Sequence, residues 1–423
     1  MEPSQIGMKS APIRIPTEDD LSPSRVAPHA DAAGRLRRVD SASQQQLRIA
    51  LVRQGSRVDG GGERIVDRMH AILTKQGHDV TLISRAVRSD SVRVLVCDPP
   101  AFGRIGREQK FAQQALKSAA AERFDIVQSH ERIPGCTVYR AGDGVHATWL
   151  EQRRRVMNPF TRTFLAWQPY HRYVLQAERQ LFEHPGLRAV ICNSRMVQQD
   201  ILRRFAIKPE KLHLIYNGID PVRFHPRLKQ HRAAIRRLYG IPDDTPVFLF
   251  VGSGWERKGL AAAIRAVAQV PRAQLLVVGR DKKQSCFQRM ATTLHAADRI
   301  HFAGVQADVG QYLGAADAFL LPPLYDPFPN AILEAMAAGL PVITSTTCGA
   351  AEVIQAGEHG YVCDALDQAA LTEAISRLAD QTLAAEMGKR ARAVIEPFTV
   401  LRMERELTQL YHQLSGHTAD DCR

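Results

Sequence analysis

Short, strand-sized apolar runs separated by helix-like segments recur along this chain in two series, and that recurrence limits the fold more than any other feature. The first series opens with 47-LRIALV-52. Residues 53-RQGSRVDGGGERIVDRMHAILTKQGHDVTLIS-84 then read as glycine-rich loop, helix, a stop at Gly77 and a second strand, with Ile65, Met69 and Ile72 at helical spacing. Further runs follow at 92-VRVLVC-97, 124-FDIVQS-129 and 189-AVICNS-194. The second series comprises 247-VFLFVG-252, 274-QLLVVG-279, 299-RIHFAG-304, 318-AFLLPP-323, 341-PVITST-346 and 360-GYVC-363. Strands alternating with helices predict parallel sheets, so the expected class is α/β with two doubly wound, Rossmann-like domains. Two such halves facing one another leave a cleft between the carboxyl ends of their sheets, where open α/β sheets bind ligands.

The boundaries follow from where the pattern breaks. Residues 1–46 are rich in Pro, Ser, Ala and Gln without apolar period and are expected to be a disordered extension. The first domain is expected over 47–220. Pro and Arg accumulate after 217-NGID-220, so 221–245 is taken as the interdomain linker, 246–395 as the second domain, and 396–423 as a C-terminal helix and tail packing back on the first domain.

Composition narrows the function classes. At 423 residues and 45% hydrophobic, the chain can bury the cores of two domains. Its apolar runs fall far short of the roughly 20 residues a bilayer crossing needs, and no charged-then-apolar leader opens it. The seven cysteines (Cys97, Cys136, Cys192, Cys286, Cys348, Cys363, Cys422) are odd in number and lack CxxC spacing, which predicts a reduced, cytoplasmic protein with neither a disulfide framework nor a structural zinc. The formal charge is +12. The first 46 residues hold six Lys/Arg and six Asp/Glu, so the excess lies in the rest of the chain. Such a balance suits nucleic acid, anionic lipid or phosphate-bearing substrates. The basic clusters 153-RRR-155 and 223-RFHPRLKQHRAAIRR-237 carry no nucleic-acid recognition motif and read as solvated faces, so no nucleic-acid partner is expected.

Two segments carry chemistry. In 252-GSGWERKG-259 the glycines let the backbone approach a ligand, and Arg257 with Lys258 place a planar fork and a point charge at a strand's carboxyl end, a pair suited to a diphosphate. In 322-PPLYDPFPNAILEAMAAGLPVITST-346 a helix is expected to start near Pro329 or Asn330. The free N–H groups of Asn330, Ala331 and Ile332 then form an anion site, with Glu334 one turn on, at i+4 from Asn330. Asp326 precedes the helix in an extended loop set by Pro327. The two acids would stand about 12 Å apart on a continuous helix, beyond the roughly 5–9.5 Å of a glycosidase pair, so they read as two separate hydroxyl-reading carboxylates.

These residues carry a resemblance. The segment 326-DPFPNAILEAMAAGLPV-342 resembles the acid-x7-Glu signature of retaining GT-B glycosyltransferases of family four, with Asp326 where the family usually has Glu. The resemblance implies a GT-B fold, donor-sugar contact by Asp326, ribose contact by Glu334, phosphate contact by the backbone of Asn330, Ala331 and Ile332, and charge stabilisation by Arg257 and Lys258. In the other half 60-GGGERIVDR-68 is similar to the family's glycine-rich loop beside the transferred sugar, which brings in Gly60 and Gly61. Residues 131-ERIPGCTVYRAGDGVHATWLEQRR-154, with 170-YHRYVLQAERQLF-182, 254-GWERKGL-260, 276-LVVGRDK-282 and 346-TTCGAAEVI-354, resemble the lipopolysaccharide core glucosyltransferases that act on heptose. The likeness spans about residues 47–410.

What the resemblance implies is a retaining hexosyltransferase moving glucose from UDP-glucose onto a heptose or related sugar of a lipid-linked oligosaccharide. A mannosyl- or galactosyltransferase of the same fold shares every residue named. Asp143, in 141-AGDGVH-146, is the acceptor-side acid, or else an Asp in a glycine turn. His146 is either an acceptor contact or a hydrogen-bonded structural histidine. Arg280 either faces the nucleotide base or is a solvated loop arginine. The cations already present and the lack of a DxD cluster predict metal independence and no cofactor beyond the nucleotide sugar. Finally, 153-RRRVMNPFTRTFLAWQPYHRY-173 mixes arginines with Phe160, Phe164, Trp167, Tyr170 and Tyr173: either these aromatics, Phe164 and Trp167 above all, are core of the first domain, or the segment serves peripheral adsorption to an anionic membrane, expected on the inner face of a bacterial inner membrane.

Overall fold

The computed structural model describes residues 46–55, 61–87, 92–165 and 167–416. The expected N-terminal extension therefore lies, but for Gln46, outside the described residues, as does Gly60. Among the described residues the first sheet contains β1 (Arg48–Val52), β2 (Asp79–Ser84), β3 (Val94–Val96), β4 (Ile126–Ser129), β5 (Val138–Arg140), β6 (Ala189–Cys192) and β7 (Leu212–Leu214), in the order β3-β2-β1-β4-β5-β6-β7. The second contains β8 (Val247–Val251), β9 (Gln274–Val278), β10 (Ile300–Gly304), β11 (Ala318–Leu321), β12 (Val342–Ser345) and β13 (Gly360–Cys363), in the order β10-β9-β8-β11-β12-β13.

Among the described residues every strand pairing is parallel, for example Ala50 opposite Val127 and Phe248 opposite Leu275. The chain order reverses at β1/β4 and at β8/β11, which are the switch points where open sheets of this kind form a crevice. Helices cover both faces, so β11 and β12 are buried throughout and β8 in all but Val251, and these strands read as unbroken apolar runs. The strands β5 and β7, of three residues each, escape the sequence reading because so short a run shows no period. In β5 one of the three is Arg140, buried and held by the Asn217 side chain.

Residues 221–245 differ from the linker expected there. They form a 3₁₀ turn, Pro226–His231, and a helix, Arg232–Leu238, and Phe224, Ile235 and Ile241 enter the core of the second domain. Arg236 is 1% exposed yet fully used: it donates to the carbonyls of Ala315 (3.0 Å), Pro242 (2.9 Å) and Thr245 (2.8 Å) and to the Asp317 carboxylate at 2.6 Å. The arginine density that resembled a solvated connector conceals an arginine whose fork is taken up inside the domain by carbonyls and the Asp317 carboxylate together.

The helix Val400–Gly416 carries Met403, Leu407, Leu410 and Tyr411 into the core of the first domain, where the Tyr411 hydroxyl donates to Gln128. The chain thus passes twice between the halves, and the two passages touch through the Ile219 N–H and the Phe398 carbonyl at 2.8 Å. Among the described residues no helix is long and apolar enough to cross a membrane.

Candidate active site

The loop after β8 is fixed from beneath. Trp255 is wholly buried, packs edge-on against Phe287, and donates its indole N–H to the Gly252 carbonyl at 2.8 Å, while its backbone N–H reaches Asp281 at 2.9 Å. This anchors the short helix Trp255–Lys258 and aims its last two residues at the cleft. The stem of Lys258 folds over Gly252, which has φ +147° and where a Cβ would overlap the lysine. Lys258 Nζ lies 3.0 Å from Asp326 Oδ2, and Arg257 Nη1 lies 3.2 Å from the same oxygen.

Asp326 is 5% exposed, its N–H bonded to the Thr347 carbonyl and its own carbonyl accepting from Gly349. Burial by itself would raise its pKa, but the charges of Lys258 and Arg257 outweigh it and hold the carboxyl below the usual carboxylate range. The acid and the two cations assigned to different parts of a donor therefore satisfy one another.

The helix Asn330–Ala337 begins after Pro329, as the sequence predicts. The Ile332 N–H donates to the Pro329 carbonyl at 3.1 Å, so the anion site expected from three amides reduces to those of Asn330 and Ala331, which have no partner among the described residues. The Asn330 side chain accepts from Asn217 of the first domain at 2.7 Å. Glu334 is 7% exposed one turn further along the same helix.

A cavity of ≈ 460 Å³ opens between the halves, and its wall joins Arg257 and Asp326 of the second domain to Asp143 and His146 of the first. Lys258, Asn330, Ala331, Ile332, Glu334 and Arg280 lie outside that lining; Arg280 is exposed just beyond β9. Gly61 begins the helix Gly61–Lys75. Asp143 is exposed at the cavity mouth.

His146 sits in a network that sequence reasoning missed. Its backbone N–H donates to Glu178 Oε1 at 2.7 Å, the same oxygen takes the Arg132 Nε–H at 2.8 Å, and its Nε2 lies 3.0 Å from His171 Nδ1. Burial, followed by the positive charges of Arg132 and its neighbours, pushes the His146 pKa down to about 3, so the ring is neutral at pH 7. Tyr170 completes this wall, its hydroxyl bound to Glu108 at 2.9 Å and its ring under Arg104. Arg132 and Glu178 lie 46 residues apart, a separation that leaves no periodic signal in the sequence. Among the described residues no three His, Cys, Asp or Glu side chains cluster as metal ligands would.

Comparison with known proteins follows the same division into halves. Residues 59–223 match the family described as Glycosyltransferase Family 4, and residues 231–394 match Glycosyl transferases group 1. The chain belongs to these glycosyltransferases. It is 27% identical to the lipopolysaccharide glucosyltransferase WaaG of Escherichia coli K12 over 76% of this chain and 87% of that relative. It is 24% identical to the Escherichia coli UDP-Gal:alpha-D-GlcNAc-diphosphoundecaprenol alpha-1,3-galactosyltransferase, over 83% of this chain and 93% of that one. A crystal structure of WaaG, a glycosyltransferase involved in lipopolysaccharide biosynthesis, superposes with a TM-score of 0.75 at 23% identity, covering 86% of this chain and 99% of that chain. This glycosyltransferase has the GT-B arrangement of two Rossmann-like domains across a cleft.

Proposed function

We propose that this glycosyltransferase moves glucose from UDP-glucose onto a heptose or related sugar of a lipopolysaccharide core, with retention of anomeric configuration. The observation that carries the reading is the convergence of Arg257 and Asp326 with Asp143 and His146 on one cavity wall, a donor-side cation and acid facing acceptor-side hydrogen-bonding groups. The names of the relatives support lipopolysaccharide as the setting and uridine as the donor nucleotide.

In this reading the acceptor oxygen bonds to the anomeric carbon as the bond from that carbon to the diphosphate oxygen breaks, on the same face, and the acceptor proton passes to the departing phosphate. Negative charge grows on the leaving diphosphate. Arg257, Lys258 and the N–H groups at the start of the helix Asn330–Ala337 are preorganised to meet it, which supplies without a metal the charge a metal would supply. Asp326 then exchanges its cations for donor-sugar hydroxyls, and Glu334 takes the ribose.

The acceptor is lipid-linked, so the enzyme must work at a membrane surface, and we place it on the cytoplasmic face of the inner membrane. Phe160 (77% exposed), Phe164 and Trp167 (74% exposed) stand out beside Arg162 on the acceptor-side half, a mixture suited to an anionic interface. The galactosyltransferase relative favours a second reading in which the hexose is galactose. Incubation with UDP-glucose, UDP-galactose and GDP-mannose and a deacylated heptose-bearing core, with product mass and linkage read out, decides between them. Transfer from UDP-glucose alone supports the first reading; exclusive use of another donor overturns it.

A further inference from the structure

We propose that Tyr325 is a positioning residue that couples occupation of the diphosphate site to the geometry of the acceptor loop 141–146. The proposal rests on the acceptor role given above to Asp143 and His146.

Tyr325 belongs to the second domain, one residue before Asp326, yet its side chain, 1% exposed, inserts into the first. Its hydroxyl is bonded on both sides. It accepts the Val145 N–H at 3.0 Å and donates to Asp200 Oδ2 at 3.1 Å, and Asp200 is itself held by Arg203 at 2.7 Å. Val145 adjoins His146 and stands two residues after Asp143. Between them Gly144, at φ +67°, passes so close to the tyrosine that a Cβ there would collide with its hydroxyl and with the Pro327 ring. The acceptor loop is therefore moulded over this side chain.

The other end of the same residue reaches the donor site. The Tyr325 carbonyl accepts from Arg257 Nη1 at 3.0 Å, and the Leu324 N–H donates to the Arg257 carbonyl at 2.8 Å. Arg257 Nη1 carries two N–H groups, one directed at Tyr325 and one at Asp326. A diphosphate can take the second without disturbing the first. The bound anion then immobilises the guanidinium that holds the Tyr325 backbone, and the hydroxyl at the far end holds the loop beneath the acceptor.

Docking of the domains does not depend on that hydroxyl. Asn217 reaches Asn330, Arg153 reaches Glu256 at 3.1 Å, Arg155 reaches Asp364 at 2.9 Å, and Glu352 caps the first turn of the helix Arg195–Arg204 through the Arg195 N–H at 3.0 Å. Phenylalanine keeps the ring in place and removes only the atom that bridges Val145 to Asp200, leaving two buried partners unsatisfied.

The test is hydrogen exchange of the 141–149 segment with and without saturating UDP, or GDP if the wild type binds only that, in the wild type and in Tyr325→Phe. We expect the nucleotide to slow exchange in the wild type by about tenfold and to leave the variant unchanged, with nucleotide affinity altered by less than about twofold. Should Tyr325→Phe fail to fold, Asp200→Asn, which keeps an acceptor oxygen, retains the coupling and Asp200→Ala loses it. Equal slowing in wild type and variant, or none in nucleotide-saturated wild type, overturns the proposal. The acceptor reading fails separately, if Asp143→Asn and His146→Ala leave the KM for the core oligosaccharide unchanged while the exchange coupling persists.

Discussion

Lys258 Nζ and Asp326 Oδ2 stand 3.0 Å apart, and Arg257 shares the same carboxylate oxygen. An incoming diphosphate therefore competes with an internal anion for both cations. Asp326→Asn removes that competitor and its repulsion of the phosphates, so free UDP should bind the variant more tightly, by roughly tenfold. Turnover should fall, because the sugar loses its carboxylate. Calorimetry beside initial rates checks this, and weaker UDP binding in a folded variant counts against the competition.

Lys258→Ala should lower turnover by about 100- to 1,000-fold, since one charged donor to a developing anion is lost in a site shielded from water. Circular dichroism establishes that the variant is folded. Near-normal rates would falsify the phosphate-loop assignment.

The neutral His146 makes stability sensitive to acid. Its pKa falls from an ordinary value near 6.5 in the unfolded chain to about 3 in the fold, chiefly through burial and then the neighbouring Arg132 charge. Between those values the unfolded chain binds more protons, so stability is complete above about pH 6.5 and declines as pH falls toward 3. Asp326, with its lowered carboxyl, adds to the loss at the acid end of this range, as pH drops through its folded value. His146→Gln should shallow the dependence of the urea midpoint between pH 7.5 and 5. His171 and His130, also lowered by burial, keep it from vanishing.

Asp317→Ala should destabilise the second domain by about 3–5 kcal/mol, because it leaves the buried Arg236 guanidinium without its counter-charge. Denaturant unfolding measures it. A loss below about 1 kcal/mol would mean that the surrounding carbonyls alone satisfy the arginine.

Membrane adsorption should follow the exposed aromatics rather than the 153-RRR-155 cluster, since Arg153 and Arg155 are engaged across the domain boundary with Glu256 and Asp364. We expect sedimentation with anionic vesicles and not with neutral ones at low salt. Changing Phe160, Phe164 and Trp167 to Ser should abolish it, with Arg162 and Arg172 contributing roughly 1 kcal/mol each. Undiminished binding by the triple variant excludes this face.

The sequence by itself determined the two series of strands, because parallel strands buried on both faces must be written as apolar runs and their crossovers as helices. It also confined the start of the helix Asn330–Ala337 to Pro329 or Asn330, since a proline is tolerated at the first helical position and keeps the residue before it out of the helix. Only the tertiary structure decided what the functional side chains touch. Asp326 meets Lys258 across 68 residues, Tyr325 meets Asp200 across 125 and Val145 across 180, and His146 meets His171 through a ring contact that no spacing encodes. It likewise decided that Arg236 lies inside a domain while the adjacent Arg237 faces water. Local periodicity reports which face of an element is buried; which charge neutralises which depends on where the crossovers set the ends of distant strands side by side.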